Sequence, residues 1–140
     1  TAATTARLVN LAVRTTAGAG DKLLIVGLAV GGLGTTGNKP LLLRGVGPTL
    51  GAFGVGGTLA DPVLDVRPLG SENIVATNDD WRGTAALKAA FASVGAFGLA
   101  ADTSRDAALA IELPPGAYTA TVSGKANTTG VALVEVYELP

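Results

Sequence analysis

The sequence predicts an all-β fold, a jelly-roll-like β-sandwich of about eight mainly antiparallel strands with one short helix near residues 84–94. Three observations carry this expectation. Short runs of alternating hydrophobicity recur along the chain, each bounded by turn residues. Twenty glycines and seven prolines among 140 residues supply punctuation for many turns. The period changes to the helical one over Thr84–Val94, where Leu87, Phe91 and Val94 fall at i, i+4 and i+7.

Taken in order, residues 1–6 (TAATTA) have the composition of an N-terminal arm, and residues 7–140 form a single β-sandwich domain. Arg7–Arg14 alternates Val9, Leu11 and Val13 against Asn10, Ala12 and Arg14 and predicts a strand; Thr15–Asp21 reads as a small-residue turn. Lys22–Val30 is a continuous apolar run, expected to be a strand buried on both faces. A glycine-rich loop follows, then a short strand at Pro40–Gly45. Gly45–Asp61 reads as a long ordered loop packing on itself through Leu50, Phe53, Val55 and Leu59. Pro62–Arg67 and Glu72–Thr77 form a hairpin. Thr84 can cap the helix and Gly95 can end it. The last third, Asp106–Tyr137, holds three more strands. In Ala117–Ser123, Tyr118, Ala120 and Val122 share one face; before it, Pro114-Pro115-Gly116 suits a tight turn. Val131–Tyr137 is apolar on both faces, so it is expected either to be central in the sandwich or to be covered by something outside the domain.

These residues carry a resemblance. RLVNLAVRT, RGVGPTLGAFGVGGTLADP, NDDW, LPPGAYTATVSG and TGVALVEVYE, spaced along nearly the whole chain, resemble a domain of large secreted and cell-surface proteins of bacteria. No activity attaches to that domain, so the resemblance implies location and fold rather than chemistry. The spacing of NDD and G-x-Y-x-x-x-V-S-G is also distantly similar to pre-peptidase C-terminal domains, β-sandwiches appended to secreted hydrolases. The resemblance implies an extracellular or surface location. The chain starts at Thr1 and holds no methionine, as expected of a processed product or an excised domain.

Composition narrows the chemistry. The chain is 48% apolar and 15% charged, with a mean hydropathy of +0.44, which is apolar for so small a domain. A formal charge of −1, with the basic residues scattered, does not make the basic stripe of a nucleic-acid binder. No apolar run is long enough for a membrane span. Without histidine or cysteine, the serines Ser71, Ser93, Ser104 and Ser123 have no imidazole to activate them, and zinc has no nitrogen or sulfur ligands. Gly32–Gly37 spells G-x-G-x-x-G, but a strand rather than a phosphate-binding helix is expected after it. The chain is therefore expected to be no enzyme and to hold no nucleotide.

Oxygen ligands remain. Asn78, Asp79 and Asp80 are candidate calcium ligands at a loop, with Asp61, Asp65, Asp102 and Asp106 elsewhere; the alternative is an Asx turn leading into the helix. Trp81 either stacks on a sugar or anchors the helix on the sheet. Two roles follow. One is a self-associating structural subunit of a surface fibre, a homopolymer joined by strand exchange through Arg7, Val9, Leu11 and Val13, with Thr15–Asp21 as hinge. The other is an accessory domain of a larger secreted protein, holding carbohydrate or a surface polymer.

Overall fold

A computed structural model describes residues 10–18, 20–31 and 36–140. Among the described residues eight strands run in order: β1 (Asn10–Ala17), β2 (Leu24–Val30), β3 (Lys39–Val46), β4 (Pro62–Pro68), β5 (Ala76–Asn78), β6 (Ala107–Leu113), β7 (Gly116–Gly124) and β8 (Gly130–Glu138). One α-helix, α1 (Ala85–Val94), lies between β5 and β6. Sheet A has the order β1-β8-β3-β6 and sheet B the order β2-β7-β4-β5. Every pair within the sheets is antiparallel. Apart from the β4–β5 hairpin, successive strands alternate between the sheets in a jelly-roll-like winding, the architecture expected from the sequence.

Period two decides what lies between the sheets. Leu24 and Val26 of β2, Leu64 and Val66 of β4, and Ala120 and Val122 of β7 face Leu41 and Leu43 of β3 and Ala132 and Val134 of β8. Each large side chain buried there is worth roughly 1.5–3 kcal/mol, before the entropy of ordering it.

A third layer covers part of sheet A from outside. Leu42, Ala108 and Tyr137 point away from the main core and pack with Trp81, Leu87 and Phe91. Trp81 stacks on Phe91 with ring centroids 5.4 Å apart, so it anchors the helix on the sheet rather than offering a sugar platform. The helix ends are as expected. Thr84 Oγ1 accepts from Leu87 N, and Gly95 closes the helix in the left-handed conformation at φ 68°.

Four local expectations change. The strand buried on both faces is β3, whose Leu41-Leu42-Leu43 feeds two cores; β2 is an edge strand, and Ile25 on its outer face is 57% exposed. Thr15–Ala17, expected as a turn and hinge, continue β1 opposite Ala132, Val131 and Gly130, because two β-branched residues suit the ladder. Of the second hairpin arm, Glu72–Thr77, only Ala76 and Thr77 lie in β5, which runs on to Asn78. In the long loop, Leu50 and Leu59 are buried in a 3-10 turn (Pro48–Phe53) and its sequel, whereas Phe53 is exposed and meets Phe97 edge-on at 5.0 Å. Arg7 and Val9, and most of the Gly32–Gly37 motif, lie outside the described residues.

Candidate functional site

The antiparallel register brings three carboxylates together at one end of sheet B. Leu64 of β4 pairs with Asn78 of β5, so the residues just before β4 and just after β5 meet at the same end. Pro62 pairs with Gly124, which adds the start of the β7–β8 connection. Asp61, Asp79, Asp80 and Lys125 converge there, and the Asp61 carbonyl accepts from Lys125 N at 2.9 Å. One oxygen from each of Asp61, Asp79 and Asp80 lies within 4.8 Å of the others. Asn78 is engaged elsewhere. Its Oδ1 accepts from Ala108 N at 3.0 Å, and its Nδ2 donates to the Asp80 carbonyl at 3.2 Å. It shapes the turn that presents Asp79 and Asp80, while Asp61 supplies the third carboxylate.

Charges around the cluster are unevenly placed. Lys125 Nζ sits 2.5 Å from Asp79 Oδ2, and Arg105 Nη1 sits 3.4 Å from Asp61 Oδ2. Burial pushes the Asp61 carboxyl up, as does the nearness of the Asp79 carboxylate. Burial also acts upward on Asp79, but the Lys125 ammonium beside it outweighs this and holds that carboxyl below its usual value.

Other buried polar groups are consumed by the fold. Arg44, on the outer face of β3, donates Nε and Nη2 to Glu135 Oε1 at 2.9 and 2.7 Å, and Nη1 to the Phe97 carbonyl at 2.6 Å. Its guanidinium lies between the rings of Phe91 and Phe97, at 4.7 and 4.2 Å from their centres. Tyr137 donates to the other Glu135 oxygen, and burial followed by that bond pushes its phenol up to about 12. Asp106 accepts from Gly47 N, Thr49 N, Thr49 Oγ1 and Ser104 Oγ.

An open apolar cavity of about 460 Å³ lies on sheet A beside the helical cover, lined by Ala12, Arg14, Leu50, Phe53, Phe97 and Leu133. Among the described residues, Trp81, Tyr118, Tyr137 and Phe91 are buried, so Phe53, 61% exposed, is the aromatic side chain most open to a partner.

Sequence reading reaches Asp79 and Asp80 but assigns the third ligand position to Asn78. The missing signal is the β4–β5 register, which alone connects Asp61 with them. Arg44 and Glu135 carry a clue, a charge inside an otherwise apolar strand, with nothing in the sequence to pair the two strands.

No protein-family profile matches the chain, and no curated protein matches it significantly. Among solved structures, the 1.0 Å crystal structure of the pre-peptidase C-terminal domain of collagenase from Bacillus anthracis superposes with a TM-score of 0.52 at 14% identity, over 91% of this chain and 89% of that one. The chain thus shares its fold with a pre-peptidase C-terminal domain, in keeping with the distant similarity in its NDD and G-x-Y-x-x-x-V-S-G spacing.

Proposed function

We propose that the chain is a non-enzymatic, extracellular accessory module that a larger secreted protein uses to hold a surface polymer. The observation that carries this reading is the fold itself, a complete sandwich of the kind found as a C-terminal domain of a collagenase. The buried polar side chains support it, since Arg44, Glu135 and Asp106 are engaged with structural partners rather than with an open cleft. The surface suited to contact is the apolar cavity around Phe53 and Leu133, with Arg14 on its wall. Co-sedimentation of the purified chain with chitin, cellulose or fibrillar collagen tests this. Retention on one of them, lost in Phe53→Asp and without turnover of the polymer, is the expected result. A chain that pellets with none of the three, or that hydrolyses one, does not fit this reading.

Self-association is the second reading, and strand β1 favours it. Among the described residues β1 sits at the edge of sheet A, paired only with β8, and six of its eight residues are exposed. Leu11 packs on the core and Val13 is 37% exposed, so β1 is held largely by its ladder to β8. An exchange between copies would re-form the same register, Leu11 opposite Val136 and Val13 opposite Val134, on a neighbour's β8. The segment that opens would lie beyond Ala17, which is fully buried. Deleting residues 1–14 should then abolish concentration-dependent polymers in light scattering, and a peptide of that sequence should restore the stability of the truncated chain. An intact chain that stays monodisperse at high concentration rules the exchange out.

A further inference from the structure

We propose that Asp61, Asp79 and Asp80 form a calcium site, and that the Lys125 ammonium is the internal cation that calcium displaces. The site holds whether the domain works as a binding module or as a fibre subunit.

Two observations carry it independently. The first is the donor set. One oxygen from each of three carboxylates, on two segments far apart in sequence, lies within 4.8 Å of the others. Calcium binds oxygen at about 2.4 Å, so ligands on opposite sides of the ion stand about 4.8 Å apart, and the span is right for one ion. The second is what the existing cations leave undone. Asp61 is 8% exposed, and its Oδ1 is buried without a hydrogen-bond partner; Asp79 Oδ1 is buried and unpartnered as well. Native structures rarely leave such oxygens unpaired, because a buried acceptor with nothing to accept is costly. Lys125 and Arg105 do not meet the need. Their contacts go to the other oxygens, Asp79 Oδ2 and Asp61 Oδ2, and their side chains are 53% and 68% exposed.

Two occupants could satisfy the orphaned pair: a proton between Asp61 and Asp79, or a cation bound to both. A proton serves one pair and leaves Asp80 out. A divalent ion uses all three carboxylates, and Lys125, half in solvent, can withdraw without leaving a buried charge behind. Bound calcium would tie the loop before β4 to the turn between β5 and α1, closing one end of the sandwich.

The experiment titrates calcium chloride into the full chain near neutral pH, with heat and melting temperature as readouts. The expected result is one ion per chain and, at about a hundredfold excess over the dissociation constant, a melting temperature roughly 5–10 °C higher. Asp61→Asn should remove the calcium response yet melt no lower than the parent without calcium, because its amide can donate to Asp79. Should that variant fail to fold, Asp80→Asn, at a half-exposed position, gives the same loss. Lys125→Met, which removes the competing cation, should bind calcium several-fold more tightly. The proposal is overturned by no heat and an unchanged melting temperature at about 10 mM calcium, well above the affinity range of extracellular calcium modules. A calcium response that survives in Asp61→Asn or Asp80→Asn overturns it equally.

Discussion

Arg44→Ala is expected to destabilise the domain by about 3–5 kcal/mol, lowering its melting temperature by roughly 10–15 °C. The Arg44 side chain is 0% exposed and Glu135 only 6%, so removing the guanidinium strands a carboxylate in a closed space. Salt cannot reach the pair to screen it, and the loss should persist at high ionic strength. More than an ion pair goes. The Phe97 carbonyl loses its donor, and Phe91 and Phe97 lose the cation packed between them. Those contacts fasten the loop after α1 onto sheet A, so the cover should loosen before the sandwich does. Hydrogen exchange should speed up around residues 95–100 more than in β4 or β7. Glu135→Ala should cost a similar amount, because it buries an unpaired cation. The double variant Arg44→Met with Glu135→Leu should recover most of the loss, since two apolar side chains of similar size carry no desolvation penalty. A urea midpoint for Arg44→Ala within about 1 kcal/mol of the parent, on the usual slope for such denaturations, would show that the pair contributes little.

The same residues explain what can be read from the sequence and what cannot. β6, β7 and β8 are legible because their patterns are local: period two between turn residues names a strand and its buried face without knowledge of its neighbours. α1 is legible for the same reason, with Thr84 and Gly95 marking its ends. Coverage is harder to read. Lys22–Val30 and Leu41–Leu43 both look strongly apolar, yet β2 lies at a sheet edge with an open outer face while β3 lies under a helix. No local pattern distinguishes these, because the difference lies in which strand α1 crosses. The acidic site divides along the same line. Asp79 and Asp80 adjoin in sequence and stand out together; Asp61 joins them only through the pairing of Leu64 with Asn78. Asn78 resembles a ligand in the sequence because nothing there shows that Ala108 N already takes its oxygen. Arg44 and Glu135 are far apart in the chain and meet only because β3 and β8 are neighbours, with Arg44 directly opposite Glu135 in the register.

The second large effect is expected at Asp106, where Asp106→Ala should cost about 3 kcal/mol or more, the sum of what its partners lose. Asp106 is fully buried just before β6, and its carboxylate serves two segments directly and a third through Thr49. Its Oδ1 accepts from Gly47 N at 2.8 Å and Thr49 N at 3.2 Å, the opening amides of the 3-10 turn at Pro48–Phe53. Those amides begin a helical turn and have no partner further back in the chain, so a distant carboxylate acts as the cap. Its Oδ2 accepts from Thr49 Oγ1 and Ser104 Oγ, and Thr49 Oγ1 in turn accepts from Ala100 N. Alanine would strand two backbone donors and unsettle two hydroxyls. Each buried donor left unsatisfied costs about 1–3 kcal/mol, and the hydroxyls can rotate to soften their share. Asp106→Asn should be milder, about 1–2 kcal/mol, because its carbonyl can keep the two amides and its NH₂ can donate to the hydroxyl oxygens. Gly47 leaves little room for relaxation. A Cβ there would collide with the Leu59 carbonyl, so the turn cannot shift toward β4 to find other acceptors. Amide exchange separates this account from a general loss of stability. In Asp106→Ala the amides of Gly47, Thr49 and Ala100 should lose protection by more than the global change, while those of β7 follow the urea midpoint alone. Uniform loss across the chain would mean that Asp106 supports the fold without holding this turn.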